Sequence, residues 1–179
     1  SVCIPPRFVK QAKEKYGNQL RVCTVAGFPL GYSTTAVKVY ETRQAVADGA
    51  DEIDMVLSIG DMKSGRYNAV TEEIRAIKEA CQGRILKVIV ETCYLSENEK
   101  IAACRCVTDA GADFIKTSTG LGHAGATPED IDLFKRHIGP NVRMKAAGGI
   151  RTREAMEAFL AQGVERIGAS AAIAAYENE

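Results

Sequence analysis

Residues 109–117 read Asp-Ala-Gly-Ala-Asp-Phe-Ile-Lys-Thr (DAGADFIKT), and two other stretches follow the same plan: ADGADEIDM at 47–55 and AQGVERIGA at 161–169. In each, a helical pattern runs into a glycine, then a small or branched residue, an acid and a strand-like run. A glycine in that place supplies the left-handed residue that stops a helix, so the chain turns directly into the next strand. Gly49, Gly111 and Gly163 are separated by 62 and 52 residues. Each interval has room for two strand–helix units of roughly 30 residues.

The rest of the chain fills in on the same rhythm. Strands are expected at Ser1–Ile4, Arg21–Ala26, Glu52–Leu57, Ile85–Glu91, Asp113–Ser118, Val142–Ala146 and Arg166–Ala169. Between them lie amphipathic stretches with start signals. Ser96-Glu97-Asn98-Glu99 and Thr127-Pro128-Glu129-Asp130 both fit the capping box, the second with proline at the first helical position. After Asn68, the residues Val70, Ile74, Ile77 and Cys81 share one helix face, and Gly83 is the expected C-cap.

Strict alternation of strand and helix implies parallel strands buried on both faces. That leaves an open doubly wound sheet or a closed α/β barrel of the TIM (βα)8 type. No Gly-x-Gly-x-x-Gly follows the first strand, and polar residues collect at the ends of many strands, as a barrel mouth requires. The barrel is therefore the preferred fold, as a single domain over residues 1–179. It has seven recognisable strands rather than eight, and 179 residues fall below the lower end of about 200 for this fold.

Bulk properties narrow the function by exclusion. Lys plus Arg and Asp plus Glu both number 23, so no net field would draw in nucleic acid or an anionic membrane. An anionic substrate has to be met by a local site. The six cysteines form no CxxC pair and no signal peptide is visible, so reduced thiols and a cytoplasmic location are expected. His123 and His137 have no partners at metal-ligand spacing, and no metal site is expected. No apolar run approaches the ~18 residues of a membrane span.

Charged residues interrupt several strand cores: Asp54 in EIDMV, Lys87 in ILKVIVET, Lys116 in DFIKTS and Lys145 in VRMKAAGG. One such lysine is ordinarily a snorkelling side chain or half of an ion pair. Several on parallel strands of one barrel converge on a common mouth. An amine attacks a carbonyl only when neutral, and an ordinary lysine has a pKa of about 10.4. A second ammonium about 5 Å away costs it roughly 3 kcal/mol at an effective dielectric of about 20, equivalent to about two pKa units. A lysine pair thus makes one nucleophilic amine and keeps one cation, and a neighbouring carboxylate can shuttle protons. The glycine turns AAGGI at 146–150 and RIGAS at 166–170 follow the last two strands, where barrels commonly bind phosphate through backbone N–H groups.

These segments carry a family resemblance. VCIPPRF (2–8), VCTVAGFPLG (22–31), GADEIDMV (49–56), LKVIVET (86–92), GADFIKTSTG (111–120), MKAAGGIRT (144–152) and RIGAS (166–170) resemble, in order, the motifs of the deoxyribose-phosphate aldolases, class I aldolases. The likeness runs from Ser1 to Ala172. It implies reversible cleavage of 2-deoxy-D-ribose 5-phosphate to D-glyceraldehyde 3-phosphate and acetaldehyde, with no cofactor. It implies Lys116 as the Schiff-base lysine, Lys145 as the second lysine that depresses its pKa, and Asp54 as the proton shuttle. Lys87 would join their polar network. Thr119, Gly120, Gly148, Gly149, Gly168 and Ser170 would surround the substrate and its phosphate.

Three departures accompany the likeness. The family's usual opening strand and helix, with a Leu-Asp-His-Thr-like segment, is not found ahead of Ser1, which accounts for the count of seven. Ala171 stands where the family often has a second serine, and the C-terminal tail is short. Seven strands leave two open edges, so a homo-oligomer covering the gap is expected. Reduced turnover is a corollary. The opposing reading is a catalytically impaired barrel that only binds a sugar phosphate or serves as an assembly unit; retention of both lysines and Asp54 favours the enzyme.

Overall fold

The computed structural model describes residues 1–177. Its seven strands are β1 (Val2–Cys3), β2 (Val22–Ala26), β3 (Glu52–Val56), β4 (Ile85–Ile89), β5 (Phe114–Lys116), β6 (Arg143–Ala147) and β7 (Arg166–Gly168). They form one parallel sheet in chain order; each expected strand is present, six with trimmed ends and β6 shifted by one residue from the expected Val142–Ala146. Among the described residues no ladder joins β7 back to β1, so the barrel wall is an open arc. Its two edges are nevertheless near each other, since Arg166 Nη1 donates to Ser1 Oγ at 3.2 Å.

The period-2 alternation of the strands sorts side chains into two environments. Ile53, Met55, Leu57, Leu86, Val88, Val90, Ile115, Met144 and Ala146 join the hydrophobic core shared with the helices. Their alternates Glu52, Asp54, Lys87, Phe114, Lys116, Arg143, Lys145 and Arg166 interact with one another inside the arc. Charged residues within strand cores are therefore on the inner face of the arc.

The outer layer comprises α1 (Val9–Tyr16), α2 (Thr35–Ala47), α3 (Ile59–Lys63), α4 (Tyr67–Ala80), α5 (Glu97–Asp109), α6 (Pro128–His137), α7 (Arg153–Ala161) and α8 (Ala172–Glu177). Val70, Ile74, Ile77 and Cys81 are fully buried, as their spacing predicts. The three repeated glycines have φ of +100°, +72° and +98°. In each case the following residue donates to the carbonyl five residues back, as in Ala50 N to Ala45 O at 2.9 Å. That is the Schellman closure of a helix end. The acids of the repeat acquire a role too: Asp51 Oδ2 accepts from Val22 N and Asp113 Oδ2 from Leu86 N, both at 2.7 Å. Each carboxylate thus satisfies a backbone N–H on a neighbouring strand.

One helix start differs from expectation. Ser96 and Glu99 form the full capping box. At α6, Thr127 Oγ1 accepts from Asp130 N at 3.1 Å, but the Asp130 carboxylate turns away to Lys100 Nζ at 2.6 Å. A charge-assisted bond between neighbouring helices replaces the local one. The expected C-cap at Gly83 has φ +82°, but it is preceded by a second left-handed residue, Gln82, at +50°.

A buried ion pair went unforeseen. Lys38 on α2 is fully buried, 2.8 Å from Glu73 on α4, and also donates to Val56 O at 2.9 Å. Glu73 in turn accepts from Ser58 N at 3.1 Å. Burial pushes the Lys38 pKa down and the Glu73 pKa up, each opposed by the partner's charge. The pair ties two helices to the C-terminal end of β3. Among the described residues, no helix is long and apolar enough to cross a membrane.

Candidate active site

The inner face gathers its charges around Asp54, at 0% exposure. Its Oδ2 accepts from both Lys116 Nζ and Lys145 Nζ at 2.8 Å, and its Oδ1 from Lys87 Nζ at 2.8 Å. Lys116 and Lys145 sit on one oxygen, so their nitrogens can be no farther apart than twice that length. The register brings this about: Asp54 pairs with Lys87 across β3–β4, and Lys116 with Lys145 across β5–β6. The curvature of the arc then brings the two pairs together. None of these lysines snorkels; all are below 10% exposed.

Electrostatics follow from that crowding. Burial alone would push the Asp54 carboxyl up, but Lys116, Lys145 and Lys87 outweigh it and hold the group far below the usual carboxylate range. Burial would likewise push Lys87 down, and Asp54 outweighs it and raises the ammonium above its ordinary value. Lys87 also reaches Glu52 Oε2 at 2.6 Å, and Glu52 is held from behind by Arg166 at 3.0 Å. Asp54 and Glu52 thus face Lys87, Lys116, Lys145 and Arg166, with Arg21 also 3.9 Å from Glu52, two carboxylates against five cations. If one lysine gives up its proton, Asp54 still has two cationic partners.

Thiols complete the cluster in a way that the sequence does not reveal. Cys3 and Cys23 are register partners on β1 and β2, and their Sγ atoms and an Asp54 oxygen lie within 4.8 Å of one another. Cys23 Sγ donates to Asp54 Oδ1 at 3.2 Å, and Lys87 Nζ is 3.4 Å from that sulfur. This is a metal-compatible trio of donors. Its carboxylate, however, is already engaged by three ammonium groups, which hold the place a cation would take.

The glycine turns lie next to the lysines. Gly148 and Gly149 follow β6 with φ of +86° and +75°. A Cβ at Gly148 would come within 3.0 Å of Gly125 Cα and 3.3 Å of Ser118 Cβ, so glycine lets the loop after β6 pack on the loop after β5. Gly120, at φ +87°, lies against the same turn. A Cβ at Gly168 would fall 3.3 Å from Lys145 Cε, so glycine there keeps room for the lysine. Ser170 is exposed just ahead of α8, and Thr119 is half-buried, with its hydroxyl and N–H bonded to Glu91. A cavity of about 350 Å³ opens beside the Gly148–Gly149 turn, but Ile150, Ala155 and Phe159 make it largely apolar and the lysines do not line it.

The ten residues expected at the site thus divide into a charged centre of Asp54, Lys87, Lys116 and Lys145 and a rim of turns. Reading the strands alone misses Glu52, Arg166, Cys3, Cys23 and Glu91. Glu52 had a usable signal, being two residues before Asp54 on the same strand face. The cysteines had none short of the β1–β2 register.

Comparison with known proteins gives this arrangement a lineage. The profile of the DeoC/LacD family of aldolases matches residues 1–175. A deoxyribose-phosphate aldolase of Clostridium botulinum strain Alaska E43 is 58% identical over all 179 residues, which span 81% of that protein. One from Clostridioides difficile is 52% identical, with 82% of it spanned. Among solved structures, an aldolase called QR15 superposes with a TM-score of 0.92 at 43% identity, over 97% of this chain and 78% of its own. The tetrameric deoxyribose phosphate aldolase of Aeropyrum pernix gives 0.88 at 28%, over 97% and 74%. The chain is an α/β protein with the TIM-type wall of these enzymes, and it belongs to the DeoC/LacD family of aldolases.

Proposed function

We propose that the protein cleaves 2-deoxy-D-ribose 5-phosphate reversibly to D-glyceraldehyde 3-phosphate and acetaldehyde, with Lys116 as the Schiff-base nucleophile. The observation that carries this reading is the sharing of one Asp54 oxygen by Lys116 and Lys145 inside the arc. In the proposed sequence the free amine of Lys116 adds to the C1 aldehyde of the open-chain sugar. Loss of water from the carbinolamine gives an iminium. Removal of the C3 hydroxyl proton then breaks the C2–C3 bond, and the electron pair flows into the iminium as an enamine. Protonation at C2 and hydrolysis return acetaldehyde and the amine.

Asp54 would relay protons in these steps, a role supported by its direct contact with Lys116 and by its ionised resting form, which can accept one. Lys145 shares the Asp54 oxygen that holds the reacting nitrogen, and Lys87 fixes the other carboxylate oxygen. Thr119, Gly120, Gly148, Gly149, Gly168 and Ser170 are proposed around the sugar and its phosphate. No cofactor enters the scheme, because the iminium is itself the electron sink.

Borohydride reduction in the presence of acetaldehyde, followed by peptide mass spectrometry, tests the assignment. A stable two-carbon adduct is expected on Lys116 alone. An enzyme that turns over substrate without any trapped lysine would overturn the Schiff-base reading.

Among the described residues no ladder pairs the outer edges of β1 and β7, and an unpaired strand edge is a hazard that proteins generally cover. We therefore propose a homo-oligomer in which a second chain shields them. Light scattering after size exclusion should give a multiple of the 19.3 kDa chain mass. A stable monomer at micromolar concentration would sink this proposal.

A further inference from the structure

Glu91 combines two features that rarely coexist without a reason. It lies just beyond β4 at φ +51° and ψ +66°, and only 2% of it is exposed. Left-handed backbone is disfavoured for a side chain of this size, and glycine would hold the same turn without that cost. A non-glycine residue persists there only where its contacts over-determine it.

Those contacts converge on one residue. The Glu91 carboxylate accepts from Thr119 N at 3.2 and 3.3 Å and from the Thr119 hydroxyl. Cys93 Sγ is the other donor, distant at 3.9 Å. The loop approaches so closely that a Cβ on Gly122 would lie 3.2 Å from Glu91 Cδ and 2.8 Å from Cys93 Sγ. Glu91 therefore clamps the loop leading from Lys116 to Gly122.

The clamp also sets the polarity of Thr119. A hydroxyl has one proton and two acceptor positions. The proton goes to Glu91, and one acceptor position receives Leu121 N at 3.0 Å. The second acceptor position is taken by no described residue.

The geometry points to Glu91 as a positioning residue that fixes Thr119 as a hydrogen-bond acceptor, so that the site prefers an aldehyde bearing a hydroxyl next to its carbonyl. The inference rests on the aldolase reading above and sharpens its substrate class. D-Glyceraldehyde 3-phosphate has such a hydroxyl. Glycolaldehyde has it too, whereas propanal carries a methyl group in its place.

The test is the ratio of kcat/KM for glycolaldehyde to that for propanal, each as acceptor with acetaldehyde as donor. It is measured in wild type, Glu91→Gly, Thr119→Val and the double variant. One hydrogen bond lost predicts a fall of about tenfold in the ratio for each single variant. Because Glu91 acts through Thr119, the double variant should fall no further than Thr119→Val. Glu91→Gly should melt somewhat lower than wild type, the lost hydrogen bonds outweighing the relief of left-handed strain, and Thr119→Val removes the same contact without altering that backbone. A general structural role would instead lower both acceptors alike. A glycolaldehyde preference that survives in Glu91→Gly, or additive losses in the double variant, overturns the assignment. A wild type that forms no product from either acceptor and traps no acetaldehyde overturns the aldolase reading itself.

Discussion

Lys116→Leu is expected to lower deoxyribose 5-phosphate cleavage by about 10⁴-fold or more, because the covalent route loses its only nucleophile at that position. The substitution is mild for the fold. Leucine fills a site that is 6% exposed, and Asp54 retains Lys87 and Lys145 as partners. Removing one member of a buried ion pair is costly where it strands the partner's charge, and here two ammonium groups still compensate Asp54. Turnover and melting should thus separate cleanly: activity collapses while thermal unfolding shifts by only a few degrees. Lys145 remains in the variant, 2.8 Å from Asp54, and is the obvious substitute nucleophile. If the variant keeps more than a trace of activity with an adduct on Lys145, the two lysines are interchangeable and the division of labour proposed here is wrong. If it keeps activity with no adduct at all, the Schiff-base mechanism fails.

How far the fold and site can be read from residue order depends on the range of the interactions involved. The helix stops at Gly49, Gly111 and Gly163 were legible because a left-handed turn is a local demand that glycine meets locally. The inner-face residues Asp54, Lys87, Lys116 and Lys145 were legible as misfits in a period-2 pattern, where burial makes a charge expensive. Their partners were less so. Glu52 and Arg166 meet across an arc of 114 residues of sequence, and no local signal links them. Cys23 looks like any buried thiol until the β1–β2 register sets it beside Cys3 and Asp54. Lys38 is invisible on a helix, since one lysine among polar neighbours reads as a solvated face. Glu91 runs against the expected backbone preference of its residue type, so local rules point away from it. The fold follows from short-range rules repeated; the site depends on where curvature brings distant strands together.

Asp54→Asn should have the largest effect on stability, because the carboxylate is the common anchor of three buried ammonium groups. Removing one partner of a buried ion pair typically costs 3–5 kcal/mol, so a loss of about 5 kcal/mol at neutral pH is expected here. The pH dependence gives the more telling signature. In the wild type the Asp54 pKa is lowered, so its contribution is present above about pH 4 and lost as the pH falls further. The Lys87 pKa is raised, so its contribution is present below about pH 10 and lost only as the pH climbs past its folded value. Both trends make the wild type nearly flat across the neutral range. In Asp54→Asn the largest charge that raises Lys87 is gone; burial still opposes the ammonium, and its remaining carboxylate, Glu52 at 2.6 Å, is shared with Arg166. The unfolded chain then binds more protons than the folded one, and stability must rise with pH. Urea midpoints measured between about pH 6 and about pH 9 should therefore climb in the variant and stay level in the wild type. Parallel curves for the two proteins would mean that Glu52 is enough to hold the Lys87 ammonium and that Asp54 does not organise the centre.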